Sequence, residues 1–162
     1  MPIQEFGAKK NYSVSQPLPR NLEHRPIYAM PYQPFDGKYI GDTDARYLSI
    51  GIAQWSREDV SLKIMRYATQ WSRQAEELPL HRVVDTSIFL AKVLFDEADH
   101  AVEIERGLFE NQPAGFRVER EACDDNDAAC FDAFLNKHEP ALRDRFNKLH
   151  QLLSNLKAQG KL

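Results

Sequence analysis

Tyr47–Tyr67 reads YLSIGIAQWSREDVSLKIMRY. In Tyr47–Trp55, Leu48, Ile50 and Ile52 fall on one side of a period-two strand and Ser49, Gly51 and Ala53 on the other. In Asp59–Tyr67, Val60, Leu62 and Ile64 alternate with Ser61 and Lys63. Two such runs in succession predict an antiparallel hairpin. Its connection, Ser56–Asp59, lacks an Asn-Gly pair, so a longer loop built on a type I turn is expected. Upstream, PIYAM (Pro26–Met30) predicts a third strand, placed at an edge because its leading proline cannot donate to a ladder on both sides.

Both tryptophans of the chain lie in the same four letters, QWSR, at Gln54–Arg57 and Gln70–Arg73. The first copy ends a strand and the second leads toward a helix, so the two are not a structural repeat. Trp55 with Arg57 and Trp71 with Arg73 are candidates for an aromatic and cationic binding surface. The competing expectation is that both indoles cover the edge of the sheet.

The chain has 162 residues, which suits a single domain with its own core. A hydrophobic fraction of 43% beside 28% charged residues is that of a water-exposed globular protein, and no apolar run approaches a membrane span. The N-terminus has no apolar segment of the secretory kind, so a cytoplasmic location is expected, with no membrane. A net charge of -3 argues against affinity built on many phosphates, although single-strand binding through Trp55, Arg57, Trp71 and Arg73 is a third reading. Cys123 and Cys130, seven positions apart, would sit about two helical turns from one another, too far for a disulfide, and are expected to be reduced thiols.

Residues 1–40 form a proline-rich arm, carrying Pro2, Pro17, Pro19, Pro26, Pro31 and Pro34 with interleaved tyrosines. Proline at this density favours extended chain. The aromatics imply that the arm lies on something, either its own domain or a neighbouring protein.

RQAEELPLHRVVD (Arg73–Asp85) is the densest chemistry in the chain, with Arg73, Glu76, Glu77, His81, Arg82 and Asp85. Pro79 marks the start of a long helix running to about Gly107. His81 and Asp85 would then share a face, so that Asp85 could hold the imidazole while Glu77 approaches as an acid and base partner. A dipole-compensating, salt-bridged helix junction explains the same residues without catalysis. Farther on, Glu97-x-x-His100 has the spacing of di-iron sites, but it occurs once where such sites need it twice. No metal and no cofactor are expected. Aspartates near residue 125 read as the cap of a helix over about Asp127–Lys137. Pro140 opens a last helix whose Leu142, Phe146, Leu149, Leu152, Leu153 and Leu156 make one apolar stripe, a core face or a dimer seam.

DTDARYLSIGIAQW (Asp42–Trp55) and QWSRQAEELPLHRVVD (Gln70–Asp85) resemble a small bacterial family of uncharacterised proteins, a domain of unknown function. The resemblance implies that the block 42–85 defines the domain, and it imports no reaction or ligand.

The fold class expected is α+β: an N-terminal arm over 1–40, then one domain over 41–162 with a small antiparallel sheet at about 47–67 packed by three helices. The first helix should cover the sheet with Val83, Val84, Ile88, Leu90, Leu94 and Val102. The function expected is that of a non-enzymatic protein-binding module, a regulatory subunit or toxin-neutralising partner, meeting a protein or a second copy through its arm. The alternative is a small enzyme or ligand binder that uses Glu77, His81 and Asp85, with Arg73, Glu76 and Arg82 around them.

Overall fold

The structure is a computed structural model that describes residues 14–72 and 80–162. Strands β1 (Arg25–Pro31), β2 (Ala45–Ile52) and β3 (Val60–Arg66) form one antiparallel sheet in the order β1-β2-β3. Register pairs Met30 with Leu48, Leu48 with Ile64, Ile50 with Leu62 and Ile52 with Val60. Alternation therefore sets like against like across the ladder. The connecting loop is a turn closed by Asp59 N donating to Ser56 O at 3.4 Å, as the missing Asn-Gly pair implies. β1 is an edge strand, which accommodates Pro26. Gly51, opposite Pro26, has no alternative: a Cβ there would lie 2.0 Å from the Arg25 carbonyl oxygen.

Both faces of this sheet are buried. Leu48, Ile50, Ile52 and Ile64 join Phe89 and Val93 of the first helix, α1 (Leu80–Phe95), in the main core. The opposite face carries Ala29, Tyr47 and Met65, covered by Leu18 with Val14, Leu22 and Trp71. The described part of the proline-rich segment is thus no free arm. Residues 14–23 roof the back of the sheet, Tyr47 Oη donates to the Gln16 carbonyl at 2.6 Å, and β1 belongs to the sheet itself. Two short 3-10 turns, Gln33–Phe35 and Gly37–Tyr39, then carry the chain round to β2.

Two α-helices lie among the described residues, where three were expected. Helix α1 ends at Phe95 rather than near Gly107, because Asp99 and His100 take positive φ of 52° and 61° and reverse the chain. Beyond the turn come β4 (Ala101–Ile104) and β5 (Phe116–Glu119), which pair antiparallel, so Val102 is a strand residue. The buried stripe of α1 is Arg82, Thr86, Phe89 and Val93, whereas Val83 and Val84 are 44% and 59% exposed. Spacing of three and four residues made both faces readable as apolar, and the sheet took the one that carries the phenylalanine.

The second helix, α2, runs unbroken from Asp125 to Ala158 and contains Pro140. The ring removes the N–H that would reach the Asn136 carbonyl, but Asn136 is exposed and water can serve that oxygen. Glu139 and Arg143 are joined across the same turn at 2.6 Å. At its start Asp124 accepts from Asp127 N at 2.7 Å. Asp124→Ala is expected to lower unfolding free energy by about 1 kcal/mol in urea titrations, and an unchanged midpoint would mean that the cap is redundant. Cys123 and Cys130 are free and half-buried, with Cys123 ahead of the helix rather than on it.

Candidate functional site

The densest polar cluster among the described residues forms where the first turn of α1 meets the loop between β1 and β2. Asp36 is 0% exposed. Its Oδ1 accepts from Arg82 Nε at 3.0 Å and its Oδ2 from the same guanidinium at 2.7 Å, a two-pronged pair. Thr43 Oγ1 donates to Oδ2, and His81 Nε2 lies 2.8 Å from Oδ1. Arg82 also reaches Asp44 at 3.3 Å, and Asp44 is bridged to Arg66 at the end of β3. One turn along α1, Asp85 accepts from Tyr32 Oη at 2.5 Å.

Local structure explains the convergence. Pro34 and Gly37 bend the chain so that Asp36 points inward; Gly37 adopts φ of +50°, and its missing Cβ leaves room for the His81 ring 3.0 Å away. Gly37→Ala is expected to cost about 1–2 kcal/mol, combining left-handed strain with displacement of the imidazole. Denaturant titration and the His81 ring-proton shifts check it, and unchanged shifts would sink the steric argument.

Burial pushes the Asp36 carboxyl up, but hydrogen bonds from Arg82, Thr43 and His81 outweigh it and hold the group below its ordinary range. Burial likewise opposes the Arg82 charge, and Asp36 and Asp44 more than restore it. Asp85 differs: burial raises its carboxyl, and Tyr32 and His81 offset this only in part. The Tyr32 hydroxyl is raised by burial and by the carboxylate it serves.

His81 and Asp85, expected as imidazole and orienting carboxylate, are close in space, but the carboxylate that binds the ring is Asp36. Arg82, expected on a binding surface, is buried in the same cluster. Glu77, expected as the partner of His81, lies outside the described residues, as do Arg73, Glu76 and Pro79. Asp36, Thr43, Asp44 and Tyr32 were not assigned to the site by sequence: Thr43 and Asp44 lie in the Asp42–Trp55 block of the resemblance, Tyr32 is one of the tyrosines of the proline-rich stretch, and the one cue to Asp36 is the Asp-Gly pair at 36–37. The imidazole is pinned through Nε2, and its Nδ1 has no hydrogen-bond partner among the described residues. The dominant chemistry is nevertheless mutual neutralisation, which fixes α1 against the sheet.

The tryptophans do not share a surface. Trp55 is 66% exposed at the β2–β3 loop, its Nε1 donating to Asp59 at 2.7 Å, while Trp71 is half-buried beyond the other end of β3 between Tyr47 and Tyr67. Arg57 is drawn away from Trp55 to Asp127 at 2.7 Å. Asp59 also lines a 420 Å3 hollow with Phe134, Lys137 and His138, and Trp71 lines a separate one of 760 Å3.

The Glu97-x-x-His100 motif is a turn: the Glu97 carboxylate accepts from the His100 backbone N–H at 2.5 Å. Among the described residues no group of three or more His, Cys, Asp or Glu side chains is placed to hold a metal ion. None of the described helices is long and apolar enough to cross a membrane.

The most exposed apolar surface lies on the helices. Leu149, Leu152 and Leu153 of α2 are 42%, 54% and 40% exposed. Phe146 meets Phe95 edge-on at 5.3 Å, and beyond it every hydrogen bond and ion pair of α2 with the described residues is internal to the helix or its cap.

A family of unknown function (DUF6530) matches residues 17–158. No curated protein matches the chain, and no solved structure does. The chain belongs to this family, whose extent takes in the segment under the sheet, both sheets and nearly all of α2 as well as the block 42–85.

Proposed function

We propose that this member of the family is a protein-binding module that works in the cytoplasm, and that the distal part of α2 is the surface it offers. One observation carries the reading: after Phe146 the helix continues for three turns without a tertiary partner among the described residues, while exposing Leu149, Leu152 and Leu153. A free helix of that length is marginal in water, and a leucine face held open to solvent forgoes its burial energy. The described residues of the proline-rich segment are already committed to their own sheet, which moves the expected contact from the arm to the helix. The buried state of Asp36 and Arg82 supports the same choice, because a salt-bridged junction offers little to a substrate.

The test is differential capture. Wild-type protein and a Leu149→Lys/Leu153→Lys variant of unchanged circular dichroism are used as baits in host lysate, and self-association is measured alongside. A protein retained by the first and lost by the second is expected, or self-association lost in the same way. Identical capture profiles together with monomeric behaviour of both would sink the reading.

A small-ligand site at the start of α1 is the second reading, favoured by His81, whose ring is held by a buried carboxylate and partly open to solvent. Addition of a small-metabolite extract should then shift the His81 ring protons. Invariant signals would remove it.

A further inference from the structure

We propose that the hollow between the β2–β3 loop and the first half of α2 is a binding site for a free aromatic amino acid. It lies apart from the distal leucines of α2, so it stands whether or not a protein docks on them.

Two walls of opposite charge define the hollow. The loop wall carries Glu58 and Asp59, and the helix wall carries Lys137 and His138. Among the described residues no ion pair joins the two walls, and none engages Glu58, Lys137 or His138 elsewhere. By contrast, Arg143 and Lys148 of the same helix are each paired one turn away, with Glu139 and Asp144. Local bonds hold the loop wall in place. Asp59 accepts from Trp55 Nε1 at 2.7 Å, Glu58 N donates to Ser56 Oγ at 3.1 Å, and Arg57 ties the loop to Asp127 at 2.7 Å.

The floor is apolar and aromatic. Cys130, Phe134 and His138 follow one another at four-residue steps on one face of α2, and the ring of His138 lies 4.5 Å from that of Phe134. Neither imidazole nitrogen of His138 has a hydrogen-bond partner among the described residues. At 420 Å3 the hollow has the size of a small-ligand pocket, about 300–1,000 Å3.

These groups select a chemistry. Carboxylates on one wall suit an ammonium group, and the Lys137 ammonium on the other suits a carboxylate. The stacked rings on the floor suit a planar apolar body between them. An amino acid with an aromatic side chain carries all three on one short skeleton. A nucleotide or sugar phosphate fits worse, because its charge would be set against Glu58 and Asp59.

Titration calorimetry on the full chain tests this with L-phenylalanine, with phenethylamine, which lacks the carboxylate, and with hydrocinnamate, which lacks the ammonium. A dissociation constant of about 1 mM or tighter is expected for L-phenylalanine. Each analogue should bind roughly tenfold more weakly. Lys137→Gln, at an exposed position, should weaken L-phenylalanine and leave phenethylamine unchanged, whereas Glu58→Gln, also exposed, should weaken both. L-Phenylalanine should slow alkylation of Cys130 by iodoacetamide but not that of Cys123, which lines a separate cavity. Should the Cys130 thiol prove unreactive, the His138 ring-proton shifts locate the ligand instead.

No heat and no His138 shift with about 10 mM L-phenylalanine overturn the proposal. Phenethylamine binding as tightly as L-phenylalanine removes the role of Lys137 and overturns the amino-acid assignment, and hydrocinnamate binding as tightly does the same for Glu58 and Asp59. Binding that leaves both Cys130 and His138 unaffected places the ligand elsewhere and overturns the site.

Discussion

Replacing Arg82 with alanine is expected to lower the unfolding free energy by about 3–5 kcal/mol. The guanidinium is the main partner of a carboxylate with no exposure to water, and its removal leaves the Asp36 charge buried with only Thr43 and His81 to serve it. Asp36 is held ionised by those bonds, so without Arg82 it must either stay charged in a poor environment or take up a proton. Pairing Arg82→Met with Asp36→Leu should recover most of the loss, since a buried ion pair replaced by apolar groups of similar bulk is often near neutral. Equilibrium denaturation of the single and double variants, monitored by fluorescence and circular dichroism, measures both. A single-variant loss below about 1 kcal/mol would show that water reaches Asp36 and that the cluster is not a buried junction.

This cluster also marks where sequence reasoning stops. The strands were legible because alternation is local: Leu48, Ile50 and Ile52 declare a face without reference to anything distant, and Pro26 declares an edge. Proximity of His81 to Asp85 was legible for the same reason, one helical turn apart. The partner of His81 was not, because Asp36 lies 45 positions away in a loop whose composition signals only irregular chain. Helix ends failed in a related way. Asp99 and His100 adopt positive φ, which these residue types favour only weakly over other conformations, and Glu97-x-x-His100 has helical spacing while serving as a turn cap. Pro140 reads as a start because proline suits a first turn, yet an exposed Asn136 lets the helix run through. The apolar stripe of α2 was visible in full, but whether it faces a core or open water depends on where α1 ends.

These two features divide the labour of the fold. Polar groups of α1 are spent inward on Asp36 and Asp44, which leaves Leu80, Val83 and Val84 outward, 85%, 44% and 59% exposed. The inner face of α1 is thus partly polar and its outer face partly apolar, the reverse of a solvent-facing helix. The arrangement costs burial of apolar side chains within one chain. It is consistent with a surface that has more to gain from another protein than from water.

Acid should destabilise the protein between about pH 6.5 and pH 4 through one buried residue, His24. The ring is 1% exposed behind the sheet, with Nε2 2.8 Å from Ser49 Oγ and Nδ1 3.3 Å from Ser61 Oγ. Burial, helped by the charge of Lys63, lowers it from 6.5 to about 4. Between those values the unfolded chain binds the proton and the folded chain refuses it, so stability is complete above pH 6.5 and falls as pH drops toward 4. The gap corresponds to roughly 3 kcal/mol. Asp85 acts in the opposite direction: its carboxyl is raised in the fold, so protonation there favours the folded state as pH falls. Asp36, held low, withdraws its contribution only at more acid pH. His24→Gln, which cannot titrate, should therefore flatten the profile from pH 6.5 to 4 and leave the loss below that window in place. Urea titrations across the range measure this, and a variant profile parallel to the wild type would show that His24 does not carry the acid sensitivity.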